Sequence, residues 1–197
     1  MESNGTTRHD ILRVALKRFA DSGYAGTSVQ DIVDSARVTK PTLYYHFGNK
    51  AKLYQALIDR AHDERLRLMQ EAAARADSLP EKLVEILTAL FEFLKNNREL
   101  MRLAFATAFA SAGEIPSEVR YLEKCTRNFE FMKSLIQQGQ AEGVLARNYD
   151  CEELTMAIFG MLNIYVMGEV LRPKRTLDRR MARRIVDLFL EGAVRKK

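Results

Sequence analysis

The stretch Thr39 to Phe47, TKPTLYYHF, gathers a cation, hydroxyls, flat rings and an imidazole in little more than two helical turns. Only Leu43 and Phe47, four apart, stand where one face of a helix would bury them. Lys40, Pro41, Thr42, Tyr44, Tyr45 and His46 are left outside, and they carry the chemistry that phosphate oxygens and the base edges of a major groove accept. A lysine can donate to guanine O6 and N7, and a threonine methyl or proline methylene can touch a thymine methyl. Gln30, earlier in the chain, adds an amide able to bind adenine in a bidentate manner.

Such residues read a groove only if a rigid element presents them, and capping chemistry marks two helices here. Ser28 caps the first, and Asp31 three residues later completes an approximate capping box, its carboxylate near the positive helix end. Val29, Ile32, Val33 and Ala36 give that helix its apolar face. Thr39 caps the second, with Pro41 just inside it, where a missing backbone N–H costs nothing. So few residues join the two helices that they must cross steeply, and the second projects as a recognition helix would. Gly48 and Asn49 then break the chain and Asn49 caps a third helix. Lys50 thus falls in a first turn whose free N–H groups favour a phosphate.

At these residues the sequence resembles the tetracycline-repressor (TetR/AcrR) family of transcriptional regulators, whose helix-turn-helix commonly ends in T-L-Y-x-H-F-x-x-K-x-x-L. Here the run is Thr42, Leu43, Tyr44, Tyr45, His46, Phe47, Gly48, Asn49, Lys50, Ala51, Lys52, Leu53. The family's preceding helix is matched by Ile11 to Ala20, followed by Gly23, Tyr24, Thr27 and Ser28. The resemblance covers about the first quarter of the chain; beyond it, only length, helical character and layout agree. It implies base-edge contacts for Gln30, Lys40, Pro41, Thr42 and Tyr44, and phosphate contacts for Ser28, Tyr45, His46 and Lys50. Thr39, the cap, belongs to the same set.

Two residues depart from the family pattern. Arg37 stands in the turn where glycine is common, and a non-glycine residue at positive φ costs about 1 kcal/mol unless the turn is reshaped. A reshaped turn is therefore expected, with Arg37 free to reach a phosphate. Ala51 replaces a common glutamate after Lys50, which removes one partner of the helix dipole.

Composition agrees with an all-α fold of about nine helices. The chain has 197 residues, 47% of them hydrophobic, enough for a sizeable core. Four prolines and ten glycines punctuate it, alternating runs are absent and helical periodicity dominates. The resemblance implies an N-terminal three-helix module over residues 1–50, followed by a larger ligand-binding and dimerisation bundle over 51–197. The polar N-terminus and the lack of an uninterrupted apolar run of about 18 residues argue against a signal peptide and a membrane span, which points to the cytoplasm. In that compartment Cys125 and Cys151 are expected as free thiols, and the Asn4-Gly5-Thr6 sequon has no role.

Charge is distributed unevenly. Residues 1–50 hold seven Lys/Arg against five Asp/Glu, 51–171 fourteen against eighteen, and 172–197 ten against three. A basic N-terminal module is drawn to DNA by counterion release. The C-terminal cluster of Arg172, Lys174, Arg175, Arg179, Arg180, Arg183 and Arg184 reads as a solvated helix face, with contact to DNA or an acidic partner as the alternative.

Beyond residue 50 the periodicity predicts helices over Lys50 to Arg75, Pro80 to Asn96, Arg98 to Ala112, Ser117 to Glu142, Glu152 to Leu171 and Thr176 to Ala193. The stretch MRLAFATAFASA within Arg98 to Ala112 is apolar nearly all round and is expected to be surrounded by protein. The family resemblance implies that the last two helices build a four-helix interface with a symmetry mate. Small Ala157, Gly160 and Gly168 permit the close approach, and Asn163, Tyr165, Met181, Ile185, Leu188 and Phe189 are candidate contacts. Asn163 and Tyr165 are polar groups in an apolar helix, whose partners could lie in the chain itself, a dimer mate or a ligand. Met101, Phe105, Phe109, Phe129, Met132, Met156 and Phe159 are ordinary core fillers or the lining of a pocket for an apolar or amphipathic ligand.

The expected function is that of a sequence-specific transcriptional regulator, a homodimer on a palindromic operator that a small ligand releases. The long helix starting at Lys50 is the expected connection, swinging the recognition helices out of register with the grooves. No cofactor is expected. His9, His46 and His62 have no metal-site spacing, and neither a phosphate loop nor a nucleophile motif is present, so catalysis is not expected. The rival reading is a helical adaptor that binds protein or an acidic surface through its basic ends and uses no DNA.

Overall fold

Caps and apolar stripes decide where each element begins and ends. A computed structural model describes residues 3–111, 113–172 and 176–193, and among these it contains nine helices and no strand. They are α1 (Ser3–Ser22), α2 (Val29–Ala36), α3 (Lys40–Phe47), α4 (Lys50–Ala73), α5 (Leu79–Asn96), α6 (Arg98–Ala108), α7 (Tyr121–Ala141), α8 (Cys151–Leu171) and α9 (Arg179–Ala193). At 24 residues, α4 is about 36 Å long.

The chain forms two compact units, Met1–Ala61 with Arg98–Lys124, and His62–Asn97 with Cys125–Lys197. In the first, Ile11, Ala15 and Phe19 of α1 are buried with Ile32 and Val33 of α2, Leu43 of α3, and Leu53, Leu57 and Ile58 of α4. Ile11, Ala15 and Phe19 recur at four-residue spacing, as do Leu53 and Leu57, so α1 and α4 each turn one stripe inward. Tyr54 is buried too, edge-on to Phe19 and Tyr24. Its hydroxyl lies 2.7 Å from Thr107 Oγ1 of α6. The Thr107 hydroxyl hydrogen is committed to Leu103 O at 2.8 Å, so Tyr54 is the donor between the two.

In the second unit α5 packs chiefly on α9, and α8 lies against both. Leu83, Leu87, Leu90 and Phe91 of α5 meet a core that includes Ile185, Val186 and Phe189 of α9 and Ile158, Leu162 and Val166 of α8. At the edge of that contact Arg179 and Arg183 pair with Glu81 and Glu85. Two arginines of the basic cluster thus hold α9 to α5; Lys174 and Arg175 lie outside the described residues.

Three readings of the bundle change. First, α6 buries one face through Leu100, Met101, Leu103, Ala104 and Thr107, while Arg102, Ala106 and Ala108 are exposed. It is not enclosed on all sides, because alanines make a sequence look apolar without requiring burial. Second, α7 starts at Tyr121 rather than Ser117, since the Arg120 backbone N–H goes to Gln55 Oε1 and Val119 is buried in a turn. Third, α8 is long and apolar enough to cross a membrane by length and composition, although the sequence suggested no such segment. Leu154, Thr155, Ile158, Leu162, Val166 and Val170 bury one face of it. The opposite stripe, Met156, Ala157, Gly160, Ile164, Gly168 and Leu171, lies exposed in the protomer.

Candidate nucleic-acid interface

The turn between α2 and α3 is built from local hydrogen bonds. Ser28 caps α2: its Oγ accepts from the Asp31 N–H at 3.1 Å, and Asp31 accepts in return from the Ser28 N–H at 3.0 Å. The Ser28 hydroxyl and backbone N–H hold the Asp31 carboxyl below the usual carboxylate range. Just before the cap, the Thr27 hydroxyl reaches Gly23 O and Arg18 O. Gly26 is required there, because a Cβ would stand 2.3 Å from Ser22 O.

Arg37 closes α2 at φ 54° and ψ 44°, in the left-handed region, and is the only non-glycine residue at positive φ among the described residues. The reshaped turn anticipated for an arginine does not occur. The backbone keeps the geometry a glycine would adopt, and the Arg37 side chain is exposed.

Thr39 caps α3 by accepting from the Thr42 N–H at 3.3 Å, and Pro41 occupies the first turn. Leu43 and Phe47 are buried, which fixes the roll of α3. Ser28, Gln30, Lys40, Pro41 and Tyr44 are exposed, Tyr45 is 77% exposed, and Thr42 and His46 are half-buried. Gln30 is held by a hydrogen bond to Asp34 at 2.7 Å. The result is a short helix with a two-residue anchor and an outer face of cation, hydroxyl and rings.

Lys50 is used differently from the expectation. Its Nζ donates to Tyr24 O and Thr27 O, both at 2.9 Å, and sits 4.1 Å from the centre of the Tyr24 ring. Burial pushes its ammonium below the ordinary lysine value. The side chain clamps the start of α4 to the loop before α2. Arg8, which sequence reasoning passed over, lies 5.1 Å from the Phe47 ring and adds an exposed cation at that end of α3. Nothing in the spacing of α1 signals that contact.

The remaining candidates divide between the units. Met101, Phe105 and Phe109 fall in the first, with Met101 buried and Phe109 75% exposed. Phe129, Met132, Met156 and Phe159 fall in the second; Met132 is buried, Phe129 meets Phe159 edge-on, and Met156 is 60% exposed. Of the residues considered for a dimer, Ile185 and Phe189 are buried within the protomer, Tyr165 and Met181 are half-buried, and Leu188 is exposed. Asn163 finds a partner in its own chain, accepting from Arg65.

Two short capped helices in close succession, the second anchored by two residues and otherwise turned outward, define a helix-turn-helix module of a transcriptional regulator. Residues 11–57 match the family model described as bacterial regulatory proteins, tetR family, so this part of the chain carries the DNA-binding module of that family. It is 29% identical over 120 residues to the transcriptional activator FasR of Mycolicibacterium smegmatis, covering 60% of this chain and 55% of that protein. It is 26% identical over 159 residues to the probable acrEF/envCD operon repressor of Escherichia coli, covering 78% and 71% respectively. A tetR-family regulator from Shewanella sp. PV-4 superposes with a TM-score of 0.74 at 25% identity, covering 96% of this chain and 99% of that one.

Proposed function

We propose that the protein is a cytoplasmic homodimeric repressor that binds a palindromic operator through α3 and leaves it when an apolar or amphipathic ligand binds. The observation that carries this reading is the outer face of α3, where Lys40, Pro41 and Tyr44 project around the buried pair Leu43 and Phe47. Lys40, Thr42 and Gln30 read bases; Ser28, Arg37, Tyr45 and His46 hold phosphates. Residues 1–50 serve as the DNA-reading module and 51–197 as the ligand and dimer module. The exposed stripe of α8, with Leu188 of α9, is the surface a second copy covers, and its glycines allow close helix approach. A twofold pair sets recognition helices about 34 to 36 Å apart or somewhat more, in successive major grooves. A ligand that prefers the released state by about 100-fold, near 2.7 kcal/mol, suffices to free the operator.

Selection of bound fragments from the source genome by purified protein, at about 150 mM salt to suppress phosphate-only binding, tests the reading. A pseudo-palindrome is the expected product. Lys40→Ala should then relax selection at one base pair of each half-site by about 1–3 kcal/mol. Recovery of no sequence by folded, ligand-free dimer would reject it.

A further inference from the structure

Arg65 is a half-buried cation in the second unit without a carboxylate. A terminal nitrogen of its guanidinium donates to Asn163 Oδ1 of α8 at 2.8 Å, and its central carbon lies 4.8 Å from the centre of the Phe159 ring. Phe159 meets Phe129 of α7 edge-on, with ring centres 6.1 Å apart. The acids beside it in sequence are engaged elsewhere, Asp63 with Arg127 and Glu64 with Arg67. Cys125, one turn before Phe129, is near enough to interact electrostatically, but burial pushes its thiol up and it stays protonated at neutral pH. Among the described residues, no negative charge meets this guanidinium. Burial pushes Arg65 down to about 10, still well above neutral pH, so the charge remains.

A guanidinium has five N–H donors in a planar fork, and a single neutral amide oxygen answers few of them. A second group with incomplete bonding stands on α7 and reaches α4 one turn before Arg65. Asn128 shares a face of α7 with Cys125 and Phe129, is 1% exposed, and donates Nδ2 to His62 O, one turn before Arg65 on α4. Its Oδ1 has no partner among the described residues. Three helices therefore converge on a charged fork and two rings. Desolvating a guanidinium is costly, and native chains tolerate it where a ligand completes the bonding.

We propose that this cluster binds an organic acid, its carboxylate held in a bidentate bond by Arg65 and its apolar body lying against Phe129 and Phe159. The inference deepens the ligand-release reading by giving the ligand a charge, and depends on that reading only for the effect on DNA. A neutral alcohol with the same tail matches the rings and not the fork. Asn163 sets the second discriminator, because an aspartate there would supply the missing charge from within the chain.

Calorimetric titration of the full-length dimer with octanoate and with 1-octanol tests the site. Octanoate should bind tighter by about tenfold or more. Asn163→Asp should erase that preference while leaving 1-octanol affinity and the thermal melt intact, since it closes an internal ion pair. Arg65→Gln should do the same in any folded preparation. Equal affinity for the two probes, no octanoate binding, or a preference that survives Asn163→Asp would each overturn the proposal. Octanoate that binds in this pattern yet leaves operator affinity unchanged would reject ligand release and leave the acid site standing.

Discussion

Lys50 separates what a residue type suggests from what its surroundings do with it. At a helix start after an aromatic pair it reads as a phosphate ligand, yet its ammonium spans 23 and 26 residues back to two carbonyls. Hydrogen bonds from a charged donor contribute roughly 1.5–3 kcal/mol. Lys50→Met should therefore lower unfolding free energy by about 2 kcal/mol in urea denaturation. A residue serving mainly a phosphate would leave that value alone and reduce the salt slope of DNA binding by about 1. The caps were legible in sequence because Ser28, Asp31 and Thr39 bond within three residues of themselves. Lys50 and Arg65 were not, since their partners come from distant chain. Arg65 did leave a trace: it continues the four-residue stripe of Leu53, Leu57 and Ala61, and a cation on a buried stripe needs an explanation.

At the scale of elements, α4 and α6 are tied by the Tyr54 hydroxyl donating to Thr107. Burial raises the Tyr54 phenol above its ordinary value of 10.0, outweighing the opposing influence of Thr107. A raised value in the folded state means that stability is fully present below about pH 10 and declines as pH rises through the folded value, because the unfolded chain releases the proton first. Tyr54→Phe should cost about 1 kcal/mol near neutral pH and flatten that alkaline decline. Denaturant unfolding at about pH 8 and about pH 11 compares the two slopes. Tyr24, also raised by burial, should keep part of the decline. Amphipathic α5 and α9 were readable because Leu and Ile at helical spacing leave one solution for burial. The C-terminal end of α6 and the start of α7 were not, since alanine-rich chain and a backbone bond to Gln55 carry no periodic signal.

Over the whole molecule, the proposed dimer rests on the uncovered stripe of α8. Periodicity identified an apolar helix that needs neighbours on more than one side, but not which face the protomer leaves open. Ile164 is central to that face, 56% exposed, between Gly160 and Gly168. Ile164→Glu should convert the dimer to monomer in sedimentation analysis and abolish operator binding while helicity persists, because one half-site offers too few contacts. An unchanged dimer would place the interface elsewhere. If the proposed dimer forms through that stripe, a newly made chain shows water the apolar side chains of Met156, Ile164 and Leu171 until a second copy covers them. On that proposal, solitary chains would be the ones that proteases and holdases engage, and survival would depend on meeting a second copy. The cell's stock of this regulator would then rise more steeply than its rate of synthesis, giving the switch a threshold before any ligand is present.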